Sequence, residues 1–131
     1  MGSKGKEHEE MENKITVVII GVKDMERAVK FYGSVLKLPL KFKTDSYSEF
    51  ETKGAVLALE KRDKIATATG PSFTLQSKNA EKDFKSLEKK GVKFWKPLKK
   101  EPYGLVFMPQ DSELNIFEVV QYVKDKKSSG A

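Results

Sequence analysis

Twice in this chain a strand-like stretch runs into a single capping residue and then into an amphipathic helix. The first is Ile15 to Val22, continuously apolar and largely β-branched, with Asp24 just after it. Apolar positions then recur at Met25, Ala28, Val29, Phe31, Tyr32, Val35 and Leu36, the spacing of a helix with one buried stripe. The second is Pro71 to Ser77, followed by Asn79, by helical positions at Ala80, Phe84 and Leu87, and by Gly91 as a C-terminal stop. Asp and Asn suit the cap because a short side-chain oxygen can accept from a backbone N–H left free in the first turn. Sliding the sequence by about 55 residues lays Asp24 on Asn79, Glu26 on Glu81, Arg27 on Lys82 and Val29 on Phe84.

After each helix come three short strand candidates. They are Leu40–Phe42, Tyr47–Glu51 and Ala55–Glu60 in the first half, then Val92–Trp95, Gly104–Met108 and Asn115–Val123 in the second. Pro39 stops the first helix, and Lys53-Gly54 marks a turn. The pattern predicts an α+β fold of two tandem βαβββ modules, about 14–62 and 70–123, in one domain over 14–123. Ile15–Val22 has no polar interruption, so the expectation is a strand buried on both faces. Residues 1–13 read as a disordered tail or leader and residues 124–131 as a second disordered tail.

Composition removes several function classes. The chain has no cysteine, which excludes disulfides and thiolate-held metals. Its longest apolar run is far short of the roughly 20 residues that cross a membrane. The charged N-terminus lacks an apolar signal region, so the expected localisation is cytoplasmic. The net charge is +6, but Arg27 and Arg62 are the only arginines and the lysines are interleaved with Glu. That is a solvated surface rather than a nucleic-acid footprint, where the planar guanidinium is preferred.

Val22-Lys-Asp24, Phe31-Tyr32 and Val35-Leu-Lys-Leu38 together resemble the V-x-D…FY..vLG-l signature of the vicinal oxygen chelate superfamily. That group includes glyoxalases, bleomycin-resistance proteins and extradiol dioxygenases. Asp111-Ser-Glu-Leu-Asn115-Ile-Phe-Glu118 resembles its D-P-D-G-N-x-x-E, and Tyr103-Gly104 stands where Y-G or W-G precedes that stretch. The resemblance implies that the modules form a curled mixed sheet around a cleft. Metal-using members place a His near the start of each module and a Glu on each closing strand. Here those places fall on Val17, Ser72, Glu118 and either Ala58 or Glu60. The only histidine is His8, in the polar N-terminal stretch. Lys37 and Leu114 stand where the family has Gly; a left-handed residue there is costly, and the Leu114 turn is expected to differ.

The expectation is therefore no resident metal or cofactor. What the resemblance implies instead is a metal-independent small-molecule-binding protein, with its ligand in the cleft between modules. The candidate cleft wall is Val17, Ile19, Glu60, Ser72, Thr74, Trp95, Tyr103, Phe107 and Glu118, though core packing explains each aromatic taken singly. Glu118 is the one candidate for a general base. A positive chain does not attract a cationic ligand, so a neutral or anionic one fits better. Family habit leans toward a homodimer. Two alternatives stand beside this reading. One is a divalent-metal lyase or dioxygenase with an atypical ligand set; the other is a protein-interaction module with no small ligand.

Overall fold

The structure is a computed structural model and describes residues 12–65 and 69–123. The expectations for 1–11, including His8, and for 124–131 lie outside these residues. In chain order the elements are β1 (Val17–Val22), α1 (Met25–Lys30), a π-helical turn (Phe31–Val35), β2 (Leu40–Lys43), β3 (Tyr47–Phe50) and β4 (Val56–Lys61). Then follow β5 (Thr74–Gln76), α2 (Ala80–Lys89), β6 (Phe94–Glu101), β7 (Gly104–Pro109) and β8 (Glu118–Tyr122).

Each half builds its own mixed sheet, in the orders β1-β4-β3-β2 and β5-β8-β7-β6. In both, the first strand runs parallel to the last and the remaining pairs are antiparallel. The result is two open four-stranded sheets rather than the single curled sheet expected from the resemblance. Among the described residues no strand of one sheet pairs with a strand of the other.

The caps are where the sequence places them. Asp24 Oδ1 accepts from the Arg27 amide at 2.9 Å, and Asn79 Oδ1 from the Lys82 amide at 3.0 Å. The first helix departs from expectation after Lys30. Leu36 N–H donates to Phe31 O and Leu38 N–H to Tyr32 O, widening the turn. Consecutive α-helical residues diverge by about 100°. The wider turn accompanies burial of both Phe31 and Tyr32. Their rings meet edge to face, 5.2 Å apart.

The main core lies between the helices and the sheets. Ile20, Val22, Leu57 and Leu59 meet Ala28 and Tyr32 there, and the same cluster runs on through Phe117, Val119, Phe107 and Leu87. On β1 two positions of the second face are uncovered, Val17 at 37% and Ile19 at 50% exposure, while Ile20, Gly21 and Val22 are buried. The expectation of burial on both faces therefore fails, because among the described residues no helix or sheet covers Val17 and Ile19. No helix among the described residues is long and apolar enough to cross a membrane.

Two turns carry strain. Lys37 and Leu114 both adopt the left-handed conformation, at φ +62° and +67°. The Leu114 turn thus keeps a left-handed residue without the Gly, contrary to expectation. Gly104 has φ +152°, and a Cβ there would stand 2.1 Å from the Gln121 carbonyl oxygen. Only glycine lets β7 begin that close to β8.

Candidate functional site

The faces turned away from the helices carry most of the candidate residues. In the second sheet Thr74 pairs with Glu118, and the Thr74 hydroxyl donates to Glu118 Oε1 at 3.0 Å. Strand alternation puts Gln76, Ile116 and Val120 on the same face. Ile116 and Val120 are buried yet stand outside the main core cluster. Tyr103 is exposed just before Gly104. Partial shielding from water, then the carboxylates of Glu118 and Glu101, raise its hydroxyl above the ordinary value near 10.

In the first sheet Ile19 pairs with Ala58 and Gly21 with Glu60. The overlay that lays Asp24 on Asn79 carries Ile19 onto Thr74. Ala58, not Glu60, is therefore the counterpart of Glu118. Glu60 lies one pair further along the same face, exposed, with Oε1 accepting from Arg62 Nε at 2.9 Å. The two residues share strand parity, so the sequence alone could not separate them.

The remaining candidates scatter. Ser72 precedes β5, where its amide donates to Ile116 O at 2.7 Å. Trp95 is exposed on the edge strand β6, with Lys96 Nζ 5.1 Å from its ring centroid. Phe107 is fully buried and packs edge-on against Phe84 and Phe94. It belongs to the core beneath α2 rather than to the open face, because its odd register pairs it with Val119 on the helix side.

A groove of about 920 Å³ opens between the two halves. Val18, Leu38, Pro39, Val56 and Leu57 line it from the first module, and Phe73 to Lys78 from the second. Thr74 and Gln76 belong to this lining; Val17, Ile19, Glu60, Ser72, Trp95, Tyr103 and Glu118 do not. The sequence reads Leu38 only as a motif residue, Pro39 as a helix stop and Lys53-Gly54 as a turn, none of them as lining a ligand site. Their apolar or turn character gives no hint of a groove until the two modules sit side by side.

The four places that the resemblance assigns to metal ligands carry Val17, Ser72, Ala58 and Glu118. Two aliphatic side chains, one hydroxyl and one carboxylate do not fit a divalent transition ion, which calls for imidazole and carboxylate together. Among the described residues no group of three or more His, Cys, Asp or Glu converges elsewhere.

Residues 14–119 match the model of the glyoxalase/bleomycin resistance protein/dioxygenase superfamily. The chain belongs to that superfamily. Solved structures agree on the fold. TnmS3, an antibiotic binding protein from Streptomyces sp. CB03234, superposes with TM-score 0.70 at 21% identity over 85% of this chain and 97% of its own. UcmS2 gives TM-score 0.74 at 21% identity, over 84% and 98%. Lactoylglutathione lyase from Agrobacterium tumefaciens gives 0.70 at 17%, over 83% and 93%. No curated protein matches the chain. At these identities the superfamily likeness carries the fold, and the ligand has to be argued from the site.

Proposed function

We propose that this superfamily member is a metal-independent small-molecule-binding protein whose neutral or anionic ligand sits in the groove between the modules. The groove itself carries the reading. Its volume of about 920 Å³ falls within the range of small-ligand sites, roughly 300–1,000 Å³. Its apolar lining would take up most of a ligand's surface, while Thr74 and Gln76 offer neutral hydrogen bonds to orient it. The antibiotic-binding relative TnmS3 supports the same class of role. The lactoylglutathione lyase relative favours a lyase, but the Val17, Ser72, Ala58 and Glu118 set argues against one that works through a bound divalent metal.

We also infer a homodimer from the chemistry of the sheet edges. The outer edges are guarded: β2 (LKFK) and β6 (FWKPLKKE) carry lysines, β6 has Pro97, and both have register shifts. Lysine, proline and bulges keep an edge strand from pairing with strangers. The other edges, β1 (VVIIGV) and β5 (TLQ), have none of these devices. A second copy against them would bury Val17 and Ile19 and add a wall to the groove beside β5. Sedimentation of wild type and Ile19→Lys tests this: a dimer converted to monomer is expected, and a wild-type monomer contradicts it.

Amide chemical-shift mapping with 1-naphthol and naphthalene-1-sulfonate tests the ligand site. Shifts confined to Lys53–Leu57 and Phe73–Lys78 are expected. Shifts elsewhere, or none, count against the groove.

A further inference from the structure

We propose a second binding point on the helix side of the second sheet, where a short-chain aliphatic carboxylate places its tail beside α2 and its charge between Lys37 and Lys90. It goes beyond the groove and does not rest on that reading.

The starting observation is a cavity of about 280 Å³ between the end of the π-helical turn and α2. Val35 to Lys37 close it on one side and α2 on the other, over a floor of Leu75, Phe107 and Val119. Leu75 and Phe107 both pair with Val119, so the floor is the face of the sheet opposite to Thr74 and Glu118. The cavity shares Leu75, Gln76 and Ser77 with the groove lining, whereas Lys37 and the whole α2 side are its own.

Size and charge select the occupant. The volume falls just under the roughly 300–1,000 Å³ of drug-sized ligand sites, so an apolar body of a few carbons suits it. Lys37 and Lys90 are both exposed, which puts their charges at the mouth. Among the described residues neither forms an ion pair. Lys90 Nζ donates to Val35 O at 3.2 Å, which holds the ammonium at the rim and leaves two of its three N–H groups for an anion. Asp83 is the one carboxylate in the lining, and its Oδ2 already accepts from the Ser77 hydroxyl at 2.6 Å.

The backbone of Lys37 is a second, independent observation. It is left-handed, at φ +62°, where the resemblance places Gly. A side chain is costly in that conformation, and strain of this kind concentrates at ligand clamps and similar functional positions. Among the described residues the Lys37 side chain makes no hydrogen bond or ion pair that would offset the cost. Recognition of an anion at the cavity mouth accounts for a lysine where glycine would be less strained.

The test is amide chemical-shift titration of the full chain with sodium butyrate, against sodium chloride at equal ionic strength and with butyramide as the neutral match. The reporters are Ser86, Leu87 and Lys90 on α2, none of which lines the groove. Butyrate is expected to move them saturably in the millimolar range, with butyramide about tenfold weaker. Lys37→Gly removes the charge and relieves the backbone. It should weaken the response about tenfold without loss of fold stability, and Lys37→Gly combined with Lys90→Met should abolish it. Equal response to butyramide, butyrate shifts that Lys37→Gly leaves intact, or no shift beyond the chloride control overturns the proposal. Shifts confined to Lys53–Leu57 place butyrate in the groove and overturn it as well. Because the reporters lie outside the groove, failure here leaves the groove reading to its own test.

Discussion

The Tyr32 hydroxyl donates to Asp111 Oδ2 at 2.6 Å, joining the first helix to the loop before β8 across 79 residues. Asp111 is buried, and its two oxygens also accept from the amides of Glu113 and Asn115 and from Asn115 Nδ2. Asn115 Nδ2 in turn donates to Gly21 O at 2.9 Å. The motifs at Phe31-Tyr32 and Asp111–Asn115 are thus two halves of one lock between modules.

Tyr32→Phe should lower stability by about 1–3 kcal/mol, the cost of leaving a buried acceptor short of a donor. Urea denaturation reads it; a loss of only a few tenths would mean that apolar packing alone joins the halves. Burial, then the charge of Asp111, raises the Tyr32 hydroxyl well above its ordinary value of 10.0. The raised value means its contribution is complete below pH 10 and declines as pH rises further toward the folded-state value. Tyr32→Phe should remove that alkaline loss.

Glu113 forms the second tie. Oε2 meets Arg27 Nε at 2.6 Å, while Oε1 accepts from Arg27 Nη2 and from the Lys23 and Asp24 amides. Burial alone would raise its carboxyl. The Arg27, Asp24, Ser112 and Lys23 hydrogen bonds overcome this and hold it below the ordinary 4.5. A lowered value gives stability that is present above pH 4.5 and lost as pH falls through the folded-state value. Glu113→Gln should flatten the acid limb of a stability–pH profile; an unchanged limb contradicts the tie.

Lys37→Gly and Leu114→Gly should each stabilise. The left-handed backbone costs a non-glycine residue roughly 1–2 kcal/mol, partly offset by the greater freedom of glycine in the unfolded chain. A net gain of about 0.5–1 kcal/mol per site, read as a higher Tm, is the expected result. Destabilisation at either site would mean that the side chain makes a compensating contact.

Local chemistry was legible in the sequence. The Asp24 and Asn79 caps, the stop at Pro39 and the repeated strand–helix–three-strand order all follow from neighbouring residues. Long-range consequences were not. An unbroken apolar run such as Val17–Val22 looks the same whether one face or both are covered, so the exposure of Ile19 could not be seen. The strand expected over Val92–Trp95 in fact runs on to Glu101, because an edge strand tolerates the lysines and Pro97. Ala58 and Glu60 share a face, so only strand pairing could assign the Glu118 counterpart. The groove needed both modules in place before Leu38 and Phe73 could be seen to line it.

The central claim is a small molecule held between the modules without a metal. Its most direct test is fluorescence titration with 8-anilinonaphthalene-1-sulfonate, with and without EDTA, on wild type and on Val56→Trp, which fills the groove. The account predicts saturable binding that EDTA leaves unchanged and Val56→Trp abolishes. Binding that disappears with EDTA and returns with Zn(II), or that survives Val56→Trp intact, would contradict it.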